Sequence, residues 1–372
     1  MLVANTDWYL FNFRLSLARQ LKRQGFEPVM VSPRGRHVPL LQREGLRWIE
    51  WELGRQSLTP WSELKSLLML TSIYRREKPV LAHHFTTKAV AYGSLAANLS
   101  TVPAVVNNIT GLGYMFIRQD FRSWAVRQVI KALYRLALTH PNCATIFENP
   151  ADKEYFLSQG LARGLRVWLI EGVGVDVDYF SPLPEPPGPI AIVLPARLLW
   201  DKGVGTFVEA AQLLRLKTGA RFALVGAPDP GNPGTVDRAT LERWVKEGAV
   251  EWWGWQVEMK NAYSRCHIVA LPSAYGEGVP TVLLEAAACG RPVVASNIPG
   301  CRQVVVEGET GLLVPPGDAP ALAAALARLV QDGAMRKRMG EAGRRVAVER
   351  FTDSKINSAT LQVYQHLLGR GA

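Results

Sequence analysis

The chain has 372 residues, of which 48% are apolar and 20% charged, with 43 Lys and Arg against 32 Asp and Glu for a net charge of +11. That composition excludes a disordered or fibrous protein, and at about 150 residues per domain it predicts two or three globular units. The basic excess is concentrated in residues 1–180, with 22 Lys and Arg against 14 Asp and Glu, which suits either an anionic partner or a solubilising surface.

Met1 to Ala4 reads as the tail of a strand cut short, which predicts residues missing ahead of it. Helical spacing is read from Phe13 to Gln24, with Gly25 as the cap. A strand (28–32), a helix (61–78), a strand (80–84), a small-residue helix (88–99) and a strand (103–108) follow. This alternation predicts βαβ units and a parallel sheet. Residues 121–138 form a basic amphipathic helix in which Arg122, Arg127, Lys131 and Arg135 recur among apolar and aromatic positions. An ordinary domain helix and a membrane-surface helix both fit that pattern.

Residues 181–189, SPLPEPPGP, hold five prolines and a glycine, a density no helix or strand tolerates. They are read as a linker separating an N-terminal domain (1–180) from a C-terminal one (181–372), with the last helix open to packing back on the N-terminal domain. The second half repeats the grammar, with strands at 190–194, 221–225, 250–253, 268–271 and 292–295. Helices are read at 205–217, 241–247, 281–289, 322–330 and 335–351. The expected fold class is therefore α/β, two doubly wound Rossmann-like domains facing across a cleft, with ligands outside the carboxyl ends of the strands.

The densest motif is Tyr275-Gly-Glu-Gly-Val-Pro280, a Gly-rich turn opening a helix at Pro280–Thr281. Gly276, Gly278, Val279 and Thr281 there offer unpaired N–H groups suited to a diphosphate, with Pro280, which has no N–H, setting the first turn of the helix. Glu277 lies in the turn, and Glu285 follows eight residues later, about a turn and a half into the helix. A carboxylate there can accept two sugar hydroxyls, although two surface glutamates beside a tight turn remain an alternative. Leu194 to Gly205 places Arg197 and Lys202 at a strand end, cations that suit a pyrophosphate or form a solvated basic loop. Asp176-Val-Asp178 spells a D-x-D, read as a metal–nucleotide site or as a turn.

In the first half, His83, His84, Thr86 and Lys88 close one strand and open a helix, and Asn108 and Thr110 close the next. His84, Thr86, Lys88, Asn108 and Thr110 are the acceptor-side candidates, His84 being open to a structural reading as well. Four cysteines without a C-x-x-C pair imply reduced thiols, no zinc module and no disulfide framework. No signal-peptide pattern and no run of about 18 apolar residues is present. No nucleic-acid module, Walker A, Gly-x-Ser-x-Gly or His-Glu-x-x-His motif occurs, so no nucleic-acid partner is expected.

On these residues the sequence resembles the retaining glycosyltransferases of family 4, which have the GT-B fold. Glu277 and Glu285 meet that family's E-x7-E motif, and Arg197 and Lys202 its Arg…Lys pair. The resemblance implies that Arg197 and Lys202 hold the donor diphosphate, Glu285 the ribose and Glu277 the donor sugar, with no metal and no cofactor. Residues 83–116 are similar to the branch acting on undecaprenyl-diphosphate sugars in capsule, O-antigen or exopolysaccharide synthesis. That implies a hexosyl- or N-acetylhexosaminyltransferase using a UDP-sugar, a lipid-linked saccharide acceptor and a peripheral position on the inner face of the plasma membrane. Two departures stand out: Asn108-Ile-Thr-Gly occupies the loop where many members have histidine, and Thr6 to Asn12 replaces a Gly-rich first loop. A sugar-nucleotide epimerase, a phosphorylase or a non-catalytic nucleotide-sugar-binding subunit are the rival readings.

Overall fold

A computed structural model describes residues 1–54, 59–111, 121–162, 166–274 and 276–369, residues 121–126 by their backbone alone. Leu112, Gly113 and Tyr275, which belong to the loops singled out above, lie outside the described residues.

The first sheet contains β1 (Leu2–Val3), β2 (Val29–Ser32), β3 (Arg47–Glu50), β4 (Ala82–Phe85), β5 (Val105–Ile109), β6 (Cys143–Phe147) and β7 (Val167–Leu169). All pairings are parallel, in the order β3-β2-β1-β4-β5-β6-β7. Its helices are α1 (Asp7–Arg23), α2 (Val38–Arg43), α3 (Pro60–Glu77), α4 (Thr87–Ser100), α5 (Phe121–Ala137) and α6 (Pro150–Ser158).

The second sheet contains β8 (Ala191–Pro195), β9 (Arg221–Val225), β10 (Glu251–Gly254), β11 (Ile268–Leu271), β12 (Val293–Ser296) and β13 (Gly311–Val314), ordered β10-β9-β8-β11-β12-β13 and again all parallel. Its helices are α7 (Val204–Thr218), α8 (Arg238–Lys246), α9 (Met259–Ser264), α10 (Thr281–Ala288), α11 (Pro299–Val304), α12 (Ala319–Gln331) and α13 (Gly333–Arg350), and α14 (Asp353–Leu367) ends the chain. The central strands β8, β11 and β12 are buried along their whole length, as expected where helices cover both faces of a parallel sheet.

The chain divides into a unit of residues 1–173 with 353–372 and a unit of 174–352. The division thus falls at 173/174 rather than 180/181, and the proline-rich 181–189 lies inside the second unit. The reason is local pinning. Arg336 grips both oxygens of Glu185 at 2.8 and 3.0 Å, Arg291 donates to Pro184 O at 2.6 Å, and Leu183 N donates to Cys289 O at 3.2 Å. Prolines remove donors but leave carbonyls, and here buried arginines take those carbonyls up. Helix α14 belongs to the first unit, where Asp353 accepts from Ser16 of α1 at 2.5 Å and Tyr364 joins the first core.

Helix α1 starts six residues before the expected point. Thr6 caps it by accepting from Tyr9 N at 3.1 Å, and the first-turn Asp7 accepts from His37 N at 2.7 Å. The segment that replaces a Gly-rich loop is therefore a capped helix start, tied through Asp7 to the chain beyond β2.

Candidate functional site

In the second sheet the chain winds outward from β8 through β9 to β10, then returns to place β11 on the other side of β8. The carboxyl ends of β8 and β11 thus flank the switch point, where open α/β sheets bind ligands. The residues after β8 include Arg197 and Lys202, and those after β11 include Ser273 and Glu277.

Lys202 ends a short 3₁₀ turn, Trp200–Lys202, and its Nζ donates to Glu277 Oε1 at 2.5 Å. Ser273 Oγ donates to the same oxygen at 2.7 Å. Burial works against ionisation of Glu277, but the Lys202 ammonium and the Ser273 hydroxyl outweigh it and hold the carboxyl below its ordinary value. Arg197 is more open, its side chain 43% exposed and paired with Asp229 at 3.0 Å. Its charge still reaches Glu277. The two loops lock together at Gly203, which has φ +74° and lies so close to Pro272 O that a Cβ would sit 1.9 Å from it.

Glu285 lies on α10, and Tyr263 of α9 donates to its Oε2 at 2.8 Å. Burial pushes the Glu285 carboxyl up to about 7, with the Tyr263 hydroxyl opposing. Helix α10 has Pro280 at its N-cap and no side-chain cap. Its first N–H groups bonded within the chain are those of Leu283 and Leu284, both to Pro280 O. Among the described residues nothing is bonded to the N–H groups of Thr281 and Val282, which leaves two donors at the positive end of the helix dipole. Gly276, Gly278 and Val279 complete the turn before it.

The turn is clamped from behind. A Cβ on Gly300 of α11 would lie 1.6 Å from Gly278 O and 2.5 Å from Glu277 O. Gly300→Ala therefore has to displace the backbone that carries Glu277. The expected result is a folded protein destabilised by about 1–3 kcal/mol, with nucleotide affinity reduced more than tenfold; calorimetric titration alongside chemical denaturation checks both.

In the first unit, the candidates at the carboxyl ends of β4 and β5 divide. His84 is fully buried, with Nε2 2.8 Å from Tyr74 OH and Nδ1 2.8 Å from Asn107 Oδ1, and burial lowers its pKa to about 4. Both ring nitrogens are spent inside the core, so His84 leaves the candidate site. His83 is likewise enclosed, 2.5 Å from Tyr364 OH. Lys88 Nζ donates to Glu63 Oε1 at 3.0 Å and to Gly54 O at 2.8 Å. Thr86 precedes α4 at φ +74°, ψ 151°, a region that is essentially glycine's, and its buried Oγ1 has no partner among the described residues. Thr110 is half-buried just beyond β5.

Asn108 belongs to a buried polar cluster that the sequence did not announce. Its Nδ2 donates to Glu148 Oε1 at 3.0 Å, and Arg14 of α1 approaches the same oxygen at 3.7 Å. Arg14 also donates to Tyr9 OH at 2.8 Å and stacks 4.2 Å from the centre of the Phe85 ring. The available signal was Arg14 itself, which shares the buried face of α1 with Leu10 and Leu17. Ser273, Asp229, Tyr263 and Gly300 were also unforeseen. Asp176 Oδ1 accepts from Asp178 N and Tyr179 N at 3.1 and 2.9 Å, so the D-x-D is built as a turn.

Two family models match the chain: Glycosyl transferase 4-like over residues 1–144 and Glycosyl transferases group 1 over residues 189–332. The chain is 29% identical over 373 residues to an N,N'-diacetylbacillosaminyl-diphospho-undecaprenol alpha-1,3-N-acetylgalactosaminyltransferase of Campylobacter jejuni, covering 96% of each. It is 26% identical to a UDP-Gal:alpha-D-GlcNAc-diphosphoundecaprenol alpha-1,3-galactosyltransferase of Escherichia coli, over 73% of this chain and 71% of that one. Among solved structures, Anabaena Alr3699/HepE in complex with UDP and glucose superposes with a TM-score of 0.79 at 19% identity, covering 98% of both chains. The two doubly wound sheets are those of the GT-B fold.

Proposed function

The chain belongs to the glycosyltransferases of the group 1 and 4-like type, and from that premise we propose that it moves a sugar from a UDP-sugar to a hydroxyl of an undecaprenyl-diphosphate-linked saccharide, with retention at the anomeric carbon, for capsule, O-antigen or exopolysaccharide synthesis at the inner face of the plasma membrane. The observation that carries the donor half is the Lys202–Glu277–Ser273 cluster, which sits beside an uncapped helix start at the switch point of the second sheet. Likeness to the two undecaprenol-dependent transferases supports the acceptor half.

The chemistry follows from charge. Breaking the bond between sugar and diphosphate builds negative charge on the leaving group and positive charge on the anomeric carbon. Arg197, Lys202 and the amides at the start of α10 are fixed cations and dipoles for the former. Glu277, kept ionised by its partners, is placed to hold donor sugar hydroxyls. Glu285 takes the ribose hydroxyls. Lys202 changes partner in this scheme, releasing Glu277 in part when a diphosphate arrives.

The test is a thermal-shift panel of UDP-, GDP- and ADP-sugars without added metal. A ligand that binds only the folded state adds about 2.7 kcal/mol at 100 times its dissociation constant. A shift confined to UDP and one UDP-sugar is expected and names the donor for an assay on lipid extracts. Equal shifts with all bases would remove uridine recognition from the proposal, and no shift with any nucleotide would overturn it.

A further inference from the structure

Helix α4 packs against both α3 and α5, so the three form one continuous layer of the first unit. Its outer surface is unusual in what it leaves in water. On α3, Trp61 is 81% exposed, Leu64 44% and Leu68 56%. Their spacing of three and four residues puts them on one helix face. Arg75 extends the same face toward the helix end, with exposed Arg76 at its edge. On α5, Val129 and Leu136 are 60% and 57% exposed and two turns apart, with Arg135 exposed beside them. Scattered surface leucines need no explanation, but a periodic stripe led by a tryptophan does.

The charge on this layer has one sign. The three helices carry eight Lys and Arg against two Glu, Glu63 and Glu77. Neither glutamate offers a free negative charge. Glu63 accepts from Lys88 and Tyr92, and Glu77 from Arg47 and Arg76, each with its side chain about 15% exposed or less. The apolar end of the stripe is also the end at the sheet's carboxyl edge, since Glu63 of the first turn of α3 holds Lys88 of the first turn of α4.

We infer that this face, centred on Trp61, Leu64 and Leu68, docks the protein on an anionic lipid bilayer. The inference rests on the lipid-linked acceptor reading and names the surface that serves it. The leucines enter the acyl boundary, the indole takes the interfacial level that amphipathic rings favour, and the arginines meet phosphate headgroups. Contact by way of α3 sets the carboxyl edge of the first sheet beside the bilayer, where a lipid-anchored saccharide is available. Helix α5, whose amphipathic pattern the sequence displayed, supplies cations at the rim of this surface rather than its centre.

Co-sedimentation of the full chain with vesicles tests this, using phosphatidylcholine alone and phosphatidylcholine with phosphatidylglycerol. Wild type is expected to pellet with the anionic vesicles in a salt-sensitive way. Trp61→Ser/Leu64→Ser weakens that binding by about tenfold or more, while the UDP thermal shift is unchanged. Arg75→Glu/Arg76→Glu removes the salt-sensitive part and decides the matter if the first variant does not fold. Wild type that ignores anionic vesicles, or variants that bind like wild type, overturn the inference. So does a concentration-dependent dimer lost in Trp61→Ser/Leu64→Ser without vesicle binding, which assigns the face to a second copy. Because the UDP shift is read separately, failure of the donor reading and failure of the docking surface are distinguishable.

Discussion

Lys202→Ala is expected to lower kcat by about 10²–10³ while leaving the protein folded. The ammonium is the cation closest to the Gly-rich turn, 2.5 Å from Glu277, and a departing diphosphate loses it outright in the variant. The same change leaves Glu277 with Ser273 as its remaining bonded partner, so its pKa rises and the fold weakens. Breaking a fully buried ion pair costs about 3–5 kcal/mol, and with side chains 22% and 15% exposed about 1–3 is expected. The double variant Lys202→Met/Glu277→Gln separates the two effects. It removes both charges, so most of the stability returns while the rate does not. Steady-state kinetics with the donor named by the thermal-shift panel, together with urea denaturation, read the two quantities. A single variant whose kcat stays within about threefold of wild type would remove Lys202 from the chemistry.

That pair shows which parts of the molecule were legible in the sequence. Strands β9 and β11 lie at Arg221–Val225 and Ile268–Leu271, as read, because short apolar runs bounded by Gly or Pro permit little else. The residue types of the site were legible too, since two acids eight apart across a Gly-rich turn and two cations after a strand are local patterns. That Lys202 meets Glu277 was not local. It depends on β8 and β11 being neighbours, which brings residues 75 apart into one ion pair. Gly300 and Tyr263 escaped notice for the same reason. Each acts on the motif from another element, and a lone Gly or Tyr at a helix gives no sign of what it faces.

Burial misled in the opposite direction. His84 has the residue type and strand-end position of a functional histidine, but Tyr74 and Asn107 converge on it from α3 and β5. Even-numbered residues of β4 face one core and odd-numbered residues the other, so the second unforeseen cluster, Arg14 with Glu148, formed on the side of Phe85. The domain boundary was displaced by side chains as well. Proline density marks where regular structure stops, whereas Arg291 and Arg336 decide which unit the segment joins.

Glu285→Gln is expected to make the free protein more stable and the enzyme worse, with a pH signature that identifies the cause. Burial lifts the Glu285 carboxyl from 4.5 to about 7, so between those values the folded state holds a proton that the unfolded chain has released. Stability therefore falls as pH rises from about 4.5 to about 7 and is level above that, the total loss being at most about 3 kcal/mol. The glutamine variant lacks this term. Its melting temperature should match wild type near pH 5 and exceed it at pH 8. Donor binding runs the other way, because ribose hydroxyls donate to the ionised carboxylate and favour loss of the proton. Wild type should release a proton on binding a UDP-sugar near pH 6, seen as a dependence of the calorimetric heat on buffer ionisation enthalpy. The variant should release none and bind about 10- to 100-fold more weakly, since a single amide oxygen replaces two charged acceptors. A stability difference that does not change with pH would mean that Glu285 is ionised throughout, with Tyr263 and water outweighing burial. A half-buried carboxylate kept at a cost to the fold, and recovered only when ribose arrives, is what a binding residue on a small-residue helix face should look like.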